Sequence, residues 1–97
     1  MDFTVEKGFR YTPQEVLHGC DELVANLNRA SDFAHKYQGI TYLRAMHDAY
    51  VQYGIEGMRV QAMYAVGNLS GWRGVDGRVA RGWLRELGKK GTIVVKI

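Results

Sequence analysis

The chain has 97 residues, of which 46% are hydrophobic and 24% are charged, with a formal net charge of +3. This length predicts one domain, large enough to bury a core without disulfide or metal staples. The sequence contains no run of about 18 apolar residues, the length that would indicate a membrane span. The N-terminal residues lack the basic and apolar regions of a secretory signal. A single cysteine, Cys20, excludes an internal disulfide, so we expect a cytoplasmic protein.

The start of the chain predicts a short strand followed by a helix. Apolar and polar residues alternate over residues 3–7, which is typical of a strand. Thr12 and Glu15 have the spacing of a capping box, and Pro13 suits the first helical position. We therefore expect the first helix to begin here and to run to about Tyr37.

Residues 31–32, Ser-Asp, are a candidate break in that first helix, and Gly39 is expected to end it. A second helix is predicted over residues 41–53, with Gly54 as its C-cap. A third is predicted over residues 55–69, where apolar side chains go nearly all the way round. Such a helix is typically buried on every side, so we expect it at the centre of the fold.

A glycine-rich turn over residues 67–74 precedes a basic helix over residues 75–87, and residues 92–97 have strong strand propensity. The predicted fold class is therefore mainly α (α+β). We expect a four-helix single domain with a small antiparallel sheet formed by the N-terminal and C-terminal strands. Because two strands alone are marginal, we expect the sheet to lie on the helices or to extend across a dimer.

The basic helix divides into two sides when it is projected at about 100° per residue. Arg78, Arg81 and Arg85 lie on one half, so we expect all three guanidinium groups to face a partner and to be unnecessary for folding. The other half is expected to be buried, with Trp83 in the core. Its apolar residues are Val75, Val79, Ala80, Trp83, Leu84 and Leu87.

Charge is distributed unevenly along the chain. Residues 1–54 carry a net charge of −2, whereas residues 55–97 carry +5. This asymmetry favours an anionic partner for the C-terminal half. The alternative is that the acidic half complements the basic half, within the monomer or between subunits.

Glycine and tryptophan extend the candidate binding surface. Nucleic-acid-binding modules of one type clamp a backbone with a GxxG tetrapeptide, and Gly71-Trp72-Arg73-Gly74 has that pattern, as does the acidic Gly54-Ile55-Glu56-Gly57. Trp72 either stacks on a base beside Arg73 or closes the end of the core. The candidate binding residues are Gly71, Trp72, Arg73, Gly74, Arg78, Arg81, Arg85, Lys89 and Lys90.

Two glycines, Gly77 and Gly82, lie inside the basic helix, where each costs about 1 kcal/mol relative to alanine. An interior glycine has one of two explanations: it admits a partner's backbone or phosphate, or it lets the helix pack closely within the fold. Both explanations stay open for each position.

No catalytic, cofactor or metal signature accompanies this surface. Cys20 lies on the apolar side of the first helix, and His18, His35 and His47 lack metal-ligand spacing. The sequence therefore predicts a small non-enzymatic module whose basic C-terminal half, residues 73–90, binds an anionic partner. That partner is foremost a nucleic-acid backbone or a nucleic-acid-binding protein.

The alternative function is a protein-interaction inhibitor of phage or mobile-element type, a host-defence antagonist that binds an acidic protein surface. We also expect a homodimer, formed by helix packing or by pairing at the unpaired edge of residues 92–97.

Overall fold

Four helices joined by short loops make up residues 10–95, the part of the chain that the computed structural model describes. The helices are α1 (Pro13–Arg29), α2 (Lys36–Arg44), α3 (Met46–Gly67) and α4 (Gly74–Leu87). The prediction of a mainly helical, four-helix protein is confirmed. None of these helices is long and apolar enough to cross a bilayer.

The start of α1 is the predicted capping box. The backbone N–H of Glu15 donates to Thr12 Oγ1 at 3.3 Å, and the backbone N–H of Thr12 donates to Glu15 Oε1 at 2.9 Å. These reciprocal bonds satisfy donors that have no partner within the helix. Local sequence was sufficient for this prediction because every partner lies within three residues.

The predicted end of the first helix at Tyr37 is wrong, since α1 ends at Arg29 and a loop spans residues 30–35. The break at residues 31–32 is confirmed. Buried Lys36 stabilises this loop, because its Nζ donates to the carbonyl oxygen of Ala30 at 2.7 Å. The chain turns at His35, which adopts a left-handed conformation with φ 68°, and α2 begins at the next residue.

Gly39 was expected to end a helix, but it lies inside α2. Its role is close packing: a Cβ built at this position would lie 2.5 Å from Leu69 Cδ2. The boundary between the next two helices also differs from the prediction, because α2 ends at Arg44 and α3 begins at Met46.

A bend at Gly54 divides α3. Gly54 has φ 70° and ψ −154°, a backbone conformation that is essentially restricted to glycine. Directly after the bend, a Cβ at Gly57 would lie 2.5 Å from the carbonyl oxygen of Ala49, eight residues earlier. The Gly54–Gly57 tetrapeptide therefore has a structural explanation: one glycine makes the bend and the other allows the two halves to approach.

Large apolar side chains from all four helices form the core, and Trp83 is 1% exposed within it. Trp72 is also buried. Of the two alternatives for this residue, closing the end of the core therefore agrees with the structure. The expectation that the helix over residues 55–69 is buried on every side is wrong. Val60, Met63 and Tyr64 are exposed, because α1, α2 and α4 cover only part of the surface of α3.

The predicted antiparallel sheet is absent from residues 10–95. Within this range the segment before α1 and the segment after α4 meet in one isolated parallel bridge, between Tyr11 and Ile93. Tyr11 N–H donates to Thr92 O at 2.8 Å and Val94 N–H donates to Tyr11 O at 2.9 Å. Pro13 starts α1 two residues after the bridge, so pairing does not extend in that direction. The strand predicted over residues 3–7 and residues 96–97 of the second strand lie outside the described residues.

Candidate functional site

Helix α4 is amphipathic, as the sequence predicted. It buries Gly77, Ala80, Trp83, Leu84 and Leu87 against the rest of the fold. Two residues expected on the buried side differ: Val75 is 71% exposed and Val79 is half-buried. Val75 lies in the first turn, on the side that faces solvent, so an apolar side chain lies at the edge of the basic surface.

The exposed side of α4 carries a row of three residues, Arg78, Gly82 and Arg85, and Lys89 lies just beyond the end of the helix; we call these four residues the α4 stripe. Arg78, Gly82 and Arg85 follow a spacing of i, i+4 and i+7, which keeps them on one side of the helix. Arg78 and Arg85 are exposed and lie roughly 10 Å apart along the axis, at about 1.5 Å per residue. Lys89 Nζ lies 3.1 Å from Glu86 Oε2, so part of its charge is neutralised.

Arg81 was predicted to face a partner together with Arg78 and Arg85, but its guanidinium is half-buried and bonded within the fold. Its Nη1 donates to the carbonyl oxygens of Leu69, at 2.9 Å, and Trp72, at 2.6 Å. Both acceptors belong to the loop over residues 68–73. The half-buried guanidinium therefore fastens this loop to α4, and it is a structural group.

The two interior glycines of α4 have different surroundings. A Cβ at Gly77 would overlap the backbone carbonyl of Trp72, whereas nothing lies within 4 Å of a Cβ at Gly82. Close packing thus explains Gly77. Gly82 leaves an open gap between Arg78 and Arg85 on the α4 stripe, and no packing within the described fold requires a glycine there.

The tetrapeptide Gly71-Trp72-Arg73-Gly74 forms a structural turn. A Cβ at Gly71 would lie 3.1 Å from the Phe33 ring. Gly74 has φ 91°, which disfavours any L side chain. Arg73 is exposed and is thus the member of the turn whose charge faces solvent.

Arg73 shares a cleft with Arg29, a residue that sequence reasoning missed. The cleft measures ≈ 490 Å³ and lies between the loops over residues 30–35 and 68–73, with Asp32 also in its lining. Arg29 ends α1 and is far from Arg73 in sequence, so no local pattern linked the two arginines.

Hydrogen bonds and ion pairs reduce the number of cations available to a partner. Arg59 donates through Nε and Nη2 to the carbonyl oxygen of Gly88, both at 3.2 Å, and it also pairs with Glu56. Arg59 therefore caps the C-terminal end of α4, where a cation is favourable. In the C-terminal half of the chain, four basic side chains have neither an ion pair nor a side-chain hydrogen bond among residues 10–95: Arg73, Arg78, Arg85 and Lys90.

The single thiol of the chain, Cys20, is buried. Burial, with a smaller contribution from the charge of Asp21, raises the pKa of the Cys20 thiol from 9.0 to about 12, so the nucleophilic thiolate is disfavoured. No three His, Cys, Asp or Glu side chains in the described range form a group that could hold a metal ion. Comparisons with protein-family models, characterised proteins and solved structures gave no significant match.

Proposed function

We propose that the chain is a non-enzymatic binding module and that the α4 stripe binds the phosphate backbone of a nucleic acid. The observation that supports this proposal is the placement of Arg78 and Arg85. Both are exposed and unpaired among the described residues, on a helix whose opposite side is anchored in the core. A rigid helix presenting guanidinium groups at fixed spacing suits phosphate oxygens, which accept two N–H bonds from arginine.

The composition of the α4 stripe favours phosphate contacts over reading of bases. It contains arginine, glycine and lysine, and it lacks the asparagine and glutamine that pair with adenine. The gap at Gly82 lets a backbone approach α4 between the two guanidinium groups. We therefore expect binding that depends strongly on salt and weakly on nucleotide sequence.

Fluorescence anisotropy with labelled duplex and single-stranded oligonucleotides, repeated over a range of salt concentrations, tests this proposal. The double variant Arg78→Gln/Arg85→Gln should weaken binding and reduce the slope of log K against log salt by up to about 2 for the duplex, since each phosphate contact contributes about 0.9. The matched control is Arg10→Gln/Arg44→Gln, which removes the same charge from two exposed positions outside the α4 stripe. Equal losses in both double variants would reduce the effect to net charge and contradict the proposal.

An acidic protein surface is the second candidate partner, and the exposure of Val75 favours it. An apolar side chain at the edge of an arginine row is more typical of protein interfaces than of phosphate contacts. If neither oligonucleotide binds, we propose instead that the chain is an inhibitor of phage or mobile-element type, or a ligand of a nucleic-acid-binding protein. For such a partner, we expect the double variant to lower mainly the association rate constant.

A further inference from the structure

The exposed apolar side chains concentrate on α3. Five of the eight large exposed hydrophobic residues in the described range belong to this helix. A helix that is apolar all round yet exposed on one side has a surface that the monomer does not bury. We call the row formed by Tyr53, Gly57, Val60 and Tyr64 the α3 seam. Its three large side chains are 71%, 44% and 55% exposed, in the order Tyr53, Val60 and Tyr64.

The bend at Gly54 gives the α3 seam a groove of ≈ 450 Å³. Ala45, Ala49 and Gly57 line this groove, together with the three large side chains of the seam. The same surface therefore carries protruding side chains and a recess lined by small residues. Such a surface can complement itself, which is the requirement for an interface related by a twofold axis.

We propose that the α3 seam binds the α3 seam of a second copy of this chain, with the two α3 helices antiparallel about a twofold axis. The proposal is independent of the nucleic-acid function, because the seam and the α4 stripe are made of different residues.

Charge complementarity supports the antiparallel arrangement. Asp48 lines the groove at the N-terminal end of α3, whereas Glu56 lines it at mid-helix and pairs with Arg59. At the other end, Met63 contacts Gly88, which precedes Lys89 and Lys90. An antiparallel pair places Asp48 of each chain towards Lys89 and Lys90 of its partner, whereas a parallel pair would bring the two Asp48 side chains together.

The area of exposed apolar surface is consistent with a dimer. At 71% and 55% exposure, Tyr53 and Tyr64 together offer roughly 250 Å² per protomer, since an aromatic side chain buries about 150–250 Å². That is on the order of one third of the ~800 Å² per partner in a stable interface, before Val60, Met63 and the groove walls are included.

Sedimentation over a range of micromolar concentrations tests the proposal with a matched pair of variants. Val60→Glu places two like charges beside the twofold axis and should raise the dimer dissociation constant about a hundredfold. Val51→Glu makes the same change on the same helix, at a residue that is 68% exposed and does not line the groove, and should leave the constant nearly unchanged. A parent chain that stays monomeric throughout, or equal loss in both variants, overturns the proposal. Circular dichroism confirms that each variant is folded.

Cross-linking locates the interface without weakening it. Val60 is near the middle of the α3 seam, so in an antiparallel twofold dimer it lies close to its own copy. Val60→Cys should oxidise to a covalent dimer, and Val51→Cys should not, because the two copies of residue 51 lie apart. Buried Cys20 contributes little background. A dimer in which Val60→Cys does not cross-link would place the interface elsewhere and refute the α3 seam.

Charge exchange tests the antiparallel orientation. Asp48→Lys and Lys90→Glu should each weaken self-association, because each introduces two repulsive contacts per dimer. An equimolar mixture of the two variants should recover dimerisation, since the heterodimer restores an opposite-charge pair at both ends. A mixture no stronger than the separate variants would refute this orientation.

Discussion

Replacing Arg81 by glutamine should destabilise the fold, although this residue belongs to a row of arginines that looks like a binding surface in the sequence. The change removes two hydrogen bonds from a guanidinium group to the carbonyl oxygens of Leu69 and Trp72. Hydrogen bonds to charged groups contribute about 1.5–3 kcal/mol each. Because the Arg81 guanidinium is only half-buried and Leu69 O keeps the N–H of Trp72 as a second donor, we expect a loss of about 2–4 kcal/mol. In a domain of this size, that corresponds to a decrease in Tm of at least about 10 °C.

Thermal and urea denaturation followed by circular dichroism measures this effect, and Arg78→Gln is the matched control. The control removes the same charge from the same helix at an exposed position whose side chain has no hydrogen bond or ion pair among residues 10–95. Its free energy of unfolding should stay within about 0.5 kcal/mol of the parent. If Arg81→Gln has the same Tm as Arg78→Gln, the two carbonyl contacts do not stabilise the loop, and Arg81 returns to the candidate binding surface.

Three further predictions concern α4, the start of α1 and the buried thiol. Gly82→Ala should raise the free energy of unfolding by about 1 kcal/mol, since its Cβ meets open space, yet weaken nucleic-acid binding by filling the gap in the α4 stripe. Gly77→Ala should lower stability, because its Cβ overlaps Trp72; the reverse order in denaturation would contradict both assignments. Thr12→Ala should lose about 1 kcal/mol in urea denaturation through the missing cap, and an unchanged midpoint would show that the capping box is dispensable. Burial raises the pKa of the Cys20 thiol from 9.0 to about 12. The contribution of the protonated thiol to the free energy of unfolding is therefore fully present below pH 9 and should be lost as pH rises towards 12, because the unfolded chain releases its thiol proton first. Cys20→Ala should lack this part of the alkaline loss, and parallel pH profiles for both proteins would refute it.

Features that depend on neighbouring residues were predictable from the sequence. The capping box of Thr12 and Glu15 involves groups three residues apart. The amphipathic character of α4 placed Trp83 in the core, because an apolar side at helical spacing has to be covered. The glycine-rich turn before α4 was predictable because Gly71 and Gly74 punctuate the pattern.

Features that depend on tertiary contacts were not predictable. A helical wheel assigns Arg81 to the same side as Arg78, and only the path of the loop over residues 68–73 brings carbonyl oxygens within reach of its guanidinium. The expected burial of residues 55–69 was wrong for a similar reason. Periodicity shows which sides of a helix are apolar, but it does not count how many neighbours are present to cover them.

The fold also changes what the charge asymmetry of the chain means for binding. Net charge in the C-terminal half includes Arg59 and Arg81, whose guanidinium groups cap backbone carbonyls, and Lys89, which pairs with Glu86. The four unpaired cations of residues 55–95 allow at most four phosphate contacts through this half of the chain. At about 0.9 per contact, log K for a duplex should fall with log salt at a slope no steeper than about −3.6.

A slope of that size is typical of weak binding, and pairing through the α3 seam would double the number of contacts. The dimer would then reach a limit of about −7, provided that one nucleic acid contacts both α4 stripes. Val60→Glu should therefore return the slope to the value of a single chain while leaving every cation in place. A steep slope that persists in the monomeric variant would mean that one chain makes more phosphate contacts than the four unpaired cations of residues 55–95 provide. A shallow slope in the parent dimer would mean that the two α4 stripes face different ligands.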